Sequence, residues 1–188
     1  MEPMVRPRAG DLLVASVALS DGVFDQTVVL LIDHDETGSL GVVLNRVSEL
    51  SLDDVLPQWA DEVSEPRELF MGGPVSPNGA ICLASLEEPD SEPPGWRRLF
   101  HHVGLLHLDT PVEITQGAFL DLRIFAGYAG WEPGQLDGEL VRGAWHVVAA
   151  QYDDIFGTSV DDLWQRVLRR QGGDMAMYAT WPQDLTLN

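Results

Sequence analysis

Apolar residues occur along this chain mostly in short runs, separated by glycine, proline and acidic residues. Residues 27–32 (TVVLLI) are β-branched and apolar, which is typical of a buried strand, and residues 40–44 (LGVVL) repeat this after a polar loop. Two runs joined in this way predict a β-hairpin. The same pattern predicts further strands over residues 12–15, 68–71, 80–84, 120–126 and 145–149, and two within 99–108 with a turn at Gly104.

One segment has the period of an amphipathic helix. Between residues 160 and 171, apolar side chains recur at positions i, i+3, i+4, i+7 and i+8, which places them in one stripe. Asp161 and Asp162 fall in the first predicted turn and Arg169 and Arg170 in the last, where their charges complement the helix dipole. Weaker signals predict a short helix that begins at Ser51 and another over residues 133–142.

These elements favour an α+β (mixed α/β) fold. The predicted strands begin with a hairpin and later alternate with helices, which indicates a mixed sheet rather than a doubly wound parallel one. The 188 residues have the length of one ordinary domain, so we expect residues 1–188 to form a single domain. Residues 87–95 (EEPDSEPPG) are acidic and rich in proline, which predicts an exposed loop and the place in the chain most prone to disorder.

The composition indicates the cellular compartment in which the protein works and the classes of partner that it can bind. A single cysteine excludes an internal disulfide, no signal peptide is visible, and the longest apolar run, residues 28–32, is far shorter than the roughly 20 residues that cross a bilayer. We therefore expect a cytoplasmic protein without a membrane partner. The net charge of −19 repels phosphate polymers, so we do not expect direct nucleic-acid binding unless Arg166, Arg169 and Arg170 form a strong local patch.

The spacing of reactive side chains does not indicate a catalytic centre. Asp33, His34 and Asp35 lie in the predicted hairpin loop, where they could hold a metal for hydrolysis or could simply form a turn. His146 lies in a predicted buried strand, so we expect a hydrogen-bonded core histidine. Cys82 lies in mid-strand without a cationic neighbour, which predicts a buried, inert thiol. Phosphate-binding loops and nucleophile elbows are missing from the sequence, and we expect no metal and no cofactor.

Glycine, aromatic and polar residues gather at three predicted strand ends. Residues 127–135 (GYAGWEPGQ) join a predicted strand to a predicted helix, and their aromatic side chains offer flat amphipathic surfaces. Segments of this kind at strand ends bind ligands in many α/β folds. They could equally be turns. In that case Asn45 would form hydrogen bonds with the backbone, Arg46 would pair with a surface carboxylate, and the aromatic side chains would pack into the core. The candidate residues for binding a partner protein or a small polar metabolite are Asn45, Arg46, Gly72, Gly73, Gly127, Tyr128, Gly130, Trp131 and Gln135.

The same segments give the chain a family resemblance. Residues 10–15 (GDLLVA), 24–46 (FDQTVVLLIDHDETGSLGVVLNR), 71–75 (MGGPV), 127–136 (GYAGWEPGQL) and 143–145 (GAW) resemble the YqgE/AlgH family in the same order. The match is loose over residues 87–118. The resemblance implies a mixed, partly barrel-like β-sheet surrounded by helices, and no established enzyme activity. One branch of this family carries the name of a regulator of exopolysaccharide synthesis.

Three hypotheses for the function follow. The favoured one is a non-enzymatic binding or regulatory protein that recognises a protein partner or a small polar ligand through the strand-end motifs. The second is a metal-dependent hydrolase that uses Asp33, His34 and Asp35. The third is a nucleic-acid-associated transcriptional regulator that acts through the arginine cluster near residue 169.

Overall fold

A computed structural model describes residues 5–20 and 22–181. Its strands are β1 (Asp11–Ala15), β2 (Val28–Asp35), β3 (Gly38–Val43), β4 (Phe70–Met71), β5 (Val75–Leu86), β6 (Trp96–Phe100), β7 (Val103–Leu106), β8 (Phe119–Trp131) and β9 (Trp145–Ala149). Its α-helices are α1 (Leu52–Val55), α2 (Val112–Thr115), α3 (Gln135–Val141), α4 (Tyr152–Phe156), α5 (Leu163–Gln171) and α6 (Gly173–Tyr178). A short 3-10 helix, Pro57–Trp59, follows α1.

The strands form one curled sheet of half-barrel shape in the order β6-β7-β5-β8-β3-β2-β1-β9. These neighbours are antiparallel, whereas β4 pairs in parallel with β8. The long β8 joins the two halves of the sheet because its first part pairs with β5 and its last residues pair with β3. Gly10, just before β1, packs against Phe100 at the end of β6, so the curl brings distant strands together. The mixed sheet that the sequence pattern predicts, and the partly barrel-like shape that the family resemblance implies, are both confirmed.

Alternating side chains of the strands divide the interior into three clusters. One face of β1 and β2 packs against the helices near the carboxyl end, and the apolar stripe predicted from residue 160 onward is buried there, although the helix itself begins at Leu163. The other face of the same strands packs against α3. The third cluster lies between β5, β7 and β8 and the segment that carries Trp59, which is fully buried.

The prediction of a turn at Gly104 is wrong. Gly104 lies inside β7, where a Cβ atom would come within 2.5 Å of the Trp96 ring, so the glycine is there to let that ring pack closely. The chain reverses instead at His101, whose φ is +47°, and at His102. The glycine that predicts a turn in the sequence is therefore a packing requirement within a strand.

The segment 127–135 does not join strand and helix in the way that the sequence suggested. Residues 127–131 are part of β8, and only residues 132–134 connect β8 to α3. Glycines usually weaken strands. Here their missing side chains allow the backbone of residues 72–73 to lie directly against β8.

Two further expectations from the sequence concern the loop over residues 87–95 and the thiol of Cys82. Residues 87–95 are exposed as predicted, with Pro93 half-buried, and Arg98 anchors the loop by donating to the Pro89 carbonyl and to Glu92. Cys82 is buried, and burial raises the pKa of its thiol, as expected for an inert cysteine.

His146 is not the hydrogen-bonded core histidine that the sequence predicted. Its ring stacks on Tyr178 of α6 with centroids 6.3 Å apart, and its buried Nε2 has no hydrogen-bond partner. Burial without a partner lowers the pKa of His146, because the charged form loses hydration.

Candidate functional site

The β2–β3 hairpin builds one wall of the main candidate site. Asp35 Oδ1 accepts hydrogen bonds from the Thr37 backbone N–H at 2.7 Å and from the Thr37 hydroxyl, which fixes the turn and lowers the pKa of Asp35. Gly38 follows with a φ of +135°, and a Cβ atom there would lie 2.6 Å from the Trp131 carbonyl oxygen. Only glycine allows the end of β8 to lie this close to the turn.

A β-bulge aims the side chains of β2. Leu31 pairs with Gly41, but Asp33 pairs with Leu40, so one extra residue, Ile32, is inserted in β2. A bulge of this kind re-aims the residues that follow it. As a result, Asp33 and Asp35 line the same groove and stay exposed.

His34 points away from the two aspartates. Its Nδ1 lies 2.7 Å from Ser39 Oγ, and its Nε2 lies 3.7 Å from Asp137 Oδ1 on α3. The three residues of the hydrolase hypothesis are therefore not brought together. No group of three or more histidine, cysteine, aspartate or glutamate side chains suited to a metal ion occurs within residues 5–20 and 22–181.

An open groove of about 870 Å³ lies between the hairpin and β8, and we name it the acidic groove. Its lining residues carry three carboxylates and no arginine or histidine. Tyr128 is a half-buried aromatic residue of the lining that also packs against the core. The lining residues are Asp33, Asp35, Thr37, Gly38, Ser39, Leu40, Val75, Tyr128, Gly130, Trp131, Glu132, Pro133 and Gln135.

Trp131 contributes to the groove wall but is chiefly a core residue. It is 6% exposed, and its ring packs against Phe24 and Trp145. Its indole N–H donates to Glu139 Oε2 at 2.9 Å, and the Trp145 indole donates to the same oxygen at 2.8 Å. Gln135 continues this network, since its amide donates to Glu139 at 3.3 Å.

Gly72, Gly73 and Gly127 lie where two backbones cross. A Cβ atom at Gly72 would lie 2.4 Å from the Gly127 carbonyl oxygen, and one at Gly73 would lie 2.2 Å from the Tyr128 carbonyl oxygen. All three are buried, and none of them lines the acidic groove. Close backbone packing accounts for these glycines.

Asn45 and Arg46 lie elsewhere, in a smaller groove of about 360 Å³ that we name the polar groove. Asn45 accepts from Val28 N–H at 3.0 Å and donates to a carbonyl at 2.9 Å, which confirms that it bonds backbone. Arg46 donates to the Asp25 carbonyl at 2.8 Å, so it binds backbone rather than the surface carboxylate that the turn interpretation predicted. The lining residues are Gly22, Asp25, Gln26, Asn45, Arg46, Asp161, Trp164 and Gln165.

The polar groove also contains a residue that the sequence did not reveal. The Oε1 atom of Gln165 is buried and has no hydrogen-bond partner. Gln165 lies on α5, on the turn that carries the buried Trp164, and nothing in its spacing distinguishes it from other polar helix residues. An unpaired buried amide oxygen is costly unless a ligand or water donates to it.

A third groove of about 660 Å³ adjoins the acidic groove, because Asp33 and Leu40 line both. We name it the apolar groove, since most of its wall is aliphatic. Its residues come from distant parts of the chain, so no local motif could indicate it. The lining residues are Ile32, Asp33, Leu40, Leu56, Asn78, Ala80, Ile81, Cys82, Gly95, Arg97, Leu105, Leu106, His107, Leu108 and Asp109.

The arginine cluster near the carboxyl end is largely neutralised. Arg166 pairs with Asp162 at 2.9 Å, and Arg170 donates to both carboxylate oxygens of the buried Asp154 at 2.8 and 2.9 Å. With two of its three charges paired, this helix end does not provide the strong basic patch that phosphate binding requires.

Comparisons with known proteins agree on one family. Residues 12–176 match the family model described as AlgH-like. A UPF0301 protein of Streptomyces avermitilis is 51% identical over 182 residues, covering 95% of this chain and 94% of the relative. A UPF0301 protein of Thermobifida fusca is 44% identical over 188 residues, with coverage of 95% and 94%.

Solved structures support the same conclusion. The crystal structure of protein DIP2367 from Corynebacterium diphtheriae has a TM-score of 0.89 at 28% identity, with 95% of each chain covered. The solution structure of the AlgH protein from Pseudomonas aeruginosa has a TM-score of 0.70 at 26% identity, covering 98% of this chain and 100% of that one. None of the helices in the described residues combines the length and apolar character needed to span a membrane. The chain belongs to the YqgE/AlgH family.

Proposed function

We propose that this protein is a non-enzymatic binding or regulatory protein whose acidic groove holds a positively charged segment of a partner protein. The observation that carries the proposal is the concentration of Asp33, Asp35 and Glu132 around Tyr128, without a basic residue in the lining. Carboxylates attract a guanidinium or ammonium group, and an aromatic face adds a cation–π contact. The net charge of −19 extends this attraction to the approach of the partner.

Unpaired carboxylates strengthen the proposal. Asp35 is held in its ionised form by the Thr37 hydrogen bonds, and both Asp33 and Asp35 remain exposed. The hydrogen bonds from Thr37 occupy one carboxylate oxygen of Asp35 and leave the other for a ligand. A cation that enters the groove therefore meets acceptors that are already charged and held by the hairpin.

Substitution of Asp33 and Asp35 together by asparagine should weaken binding of a cationic peptide about tenfold, as expected for the loss of roughly 1.4 kcal/mol. Asparagine keeps the acceptor for Thr37, so the turn should persist. The probe is the blocked pentapeptide acetyl-Gly-Arg-Gly-Arg-Gly-amide, titrated into ¹⁵N-labelled protein. Amide shifts in the native protein should concentrate at Asp33, Asp35 and Gly130.

Two controls separate recognition in the groove from general attraction to an acidic protein. The Glu87→Gln, Glu88→Gln variant removes the same charge from an exposed loop outside the groove and should bind like the native protein. A peptide with citrulline in place of arginine should not bind. Equal weakening in both double variants, or amide shifts spread over the whole acidic surface, would contradict the proposal.

A second candidate, the binding of a small polar metabolite, is favoured by Gln165, which lines the polar groove and whose buried Oε1 has no hydrogen-bond partner. Arg46 has spare N–H donors for an acceptor on the same molecule. A ligand for this groove therefore needs a hydrogen-bond donor for the amide and an acceptor, such as a carboxylate, for the guanidinium.

Replacement of Gln165 by leucine should abolish metabolite capture while stabilising the unliganded protein by about 1 kcal/mol, because an unpaired buried oxygen is removed. The native protein is dialysed against a bacterial small-molecule extract, and bound compounds are identified by mass spectrometry. The candidate requires a compound whose capture is lost in both Gln165→Leu and Arg46→Gln. Capture that is insensitive to both substitutions, or none at all, contradicts it.

A further inference from the structure

The acidic groove continues beyond Asp33 into the apolar groove, since Asp33 and Leu40 belong to both walls. The looped-out residues 76–79 of β5 span the two, because Val75 lines one groove and Asn78 the other. A polypeptide held in the acidic groove can therefore extend into the apolar groove along one continuous surface.

The apolar groove is built to receive an apolar group. Its wall contains aliphatic side chains that remain half-buried rather than fully packed, so contact with water is lost only when a group enters. Removal of such surface from water is favourable. These half-buried side chains are Leu40, Leu56, Ile81, Leu105 and Leu108.

Charge sets the direction in which a ligand would lie. The apolar groove has one guanidinium, Arg97, beside two carboxylates, Asp33 and Asp109, whereas the charged side chains of the acidic groove are all carboxylates. His107 and Asp109, with Nδ1 and Oδ2 3.7 Å apart, complete a polar rim around the aliphatic wall. A basic side chain is therefore favoured on one side of Asp33 and an apolar one on the other.

We infer that the two grooves together recognise one extended partner segment with a basic side chain in the acidic groove and a large aliphatic side chain in the apolar groove. This inference rests on the proposed function, because it assumes that the acidic groove holds the basic residue. The chain that links the two side chains is short, since an extended peptide advances about 3.3 Å per residue and the grooves share a wall.

The test extends the arginine pentapeptide with one leucine, placed one to four residues from the nearest arginine on either side. At one spacing, the leucine peptide should bind at least tenfold more tightly than its serine counterpart. Tenfold is about 1.4 kcal/mol, just below the roughly 1.5–3 kcal/mol for full burial of a leucine side chain, as suits an open groove. The same peptide should shift the amides of Ile81, Leu105 and Leu108.

A variant pair completes the design. Leu108→Ser should remove the gain from the leucine but leave binding of the arginine pentapeptide unchanged, while Val141→Ser, at an exposed site outside the groove, should change neither. The peptide series stands even if Leu108→Ser does not fold, because it uses the native protein.

Each failure has its own signature. If the arginine pentapeptide binds in the acidic groove but no leucine spacing improves it, the inference is overturned and the proposed function stands. If the pentapeptide does not bind there, both fail. Amide shifts in the apolar groove that depend on protein concentration without peptide would identify a second copy of this chain as the occupant and overturn the inference.

Discussion

Replacement of Arg123 by methionine should lower the free energy of unfolding by about 3–5 kcal/mol. Arg123 is 2% exposed and lies in β8, where its guanidinium donates to the carbonyl oxygens of Glu65, Ile155 and Gly157. It therefore ties the end of α4 and the segment before β4 to the centre of the sheet. Its charge also lies 4.6 Å from the centroid of the Phe70 ring.

Two opposing contributions determine how much stability the Arg123→Met variant loses. Hydrogen bonds from a charged group contribute about 1.5–3 kcal/mol each, and methionine leaves three carbonyls without their donor. Burial of the guanidinium works in the other direction, since it lowers the pKa of Arg123 to about 10 and leaves Nε without a partner. Removal of the arginine relieves that cost, so the net loss is smaller than the sum of three bonds.

Urea unfolding followed by far-UV circular dichroism measures this loss. Arg169→Met is the matched control, because Arg169 is exposed on α5 and its substitution should change the stability by no more than about 0.5 kcal/mol. Arg123→Lys should lie between the two, since an ammonium group keeps the charge but cannot span three carbonyls. A loss below 1 kcal/mol in Arg123→Met would show that the three carbonyls find other donors.

Arg123 also illustrates what the sequence could predict about the fold. The strand around it is evident from the apolar run at residues 120–126, and the curled sheet was implied by the family resemblance. The burial of an arginine inside that run was not predictable, because its three acceptors come from parts of the chain 32 to 58 residues away. The local pattern of apolar residues predicts which face of a strand is buried, but it does not predict which distant segments of the chain pack against that face.

The candidate site was predictable only in part, for the same reason. Tyr128, Gly130, Trp131 and Gln135 do line one groove, as their clustering in sequence suggested. The aspartates on its opposite wall were interpreted as turn residues or metal ligands, because the bulge at Ile32 that aims them into the groove has no sequence signature of its own. Register shifts and grooves between distant strands arise from tertiary pairing, which periodicity does not report.

Glycines were the most misleading signal. At Gly104 the sequence predicts a turn, and at Gly127 it allows either a tight turn or a close approach. Both residues lie within strands, where another backbone or a ring comes too close for a side chain. A glycine that permits close approach and one that permits a turn look alike in a single sequence. The same ambiguity placed Gly72 and Gly73 among the candidate binding residues.

Trp131→Ala should cost about 3–5 kcal/mol of stability, as expected when a buried tryptophan is truncated. The ring fills the cluster between the sheet and α3, stacked at 6.3 Å on Phe24 and at 6.1 Å from Trp145. Its indole N–H is one of two that converge on the same carboxylate oxygen of Glu139, so truncation also leaves that acceptor with one donor fewer. Trp131→Phe keeps most of the ring packing and should cost about 1–2 kcal/mol through the lost hydrogen bond.

The comparison with Trp181→Ala separates a core role from a surface-binding role. Trp181 is 45% exposed, and its truncation should change the free energy of unfolding by no more than about 0.5 kcal/mol. Urea unfolding of the three variants gives the ranking directly. If Trp131→Ala proves as stable as Trp181→Ala, the ring is available for a ligand and belongs to the binding surface. If the large loss is observed, Trp131 shapes the acidic groove by holding β8 against α3, and contact with the partner's cation falls to the carboxylates and Tyr128.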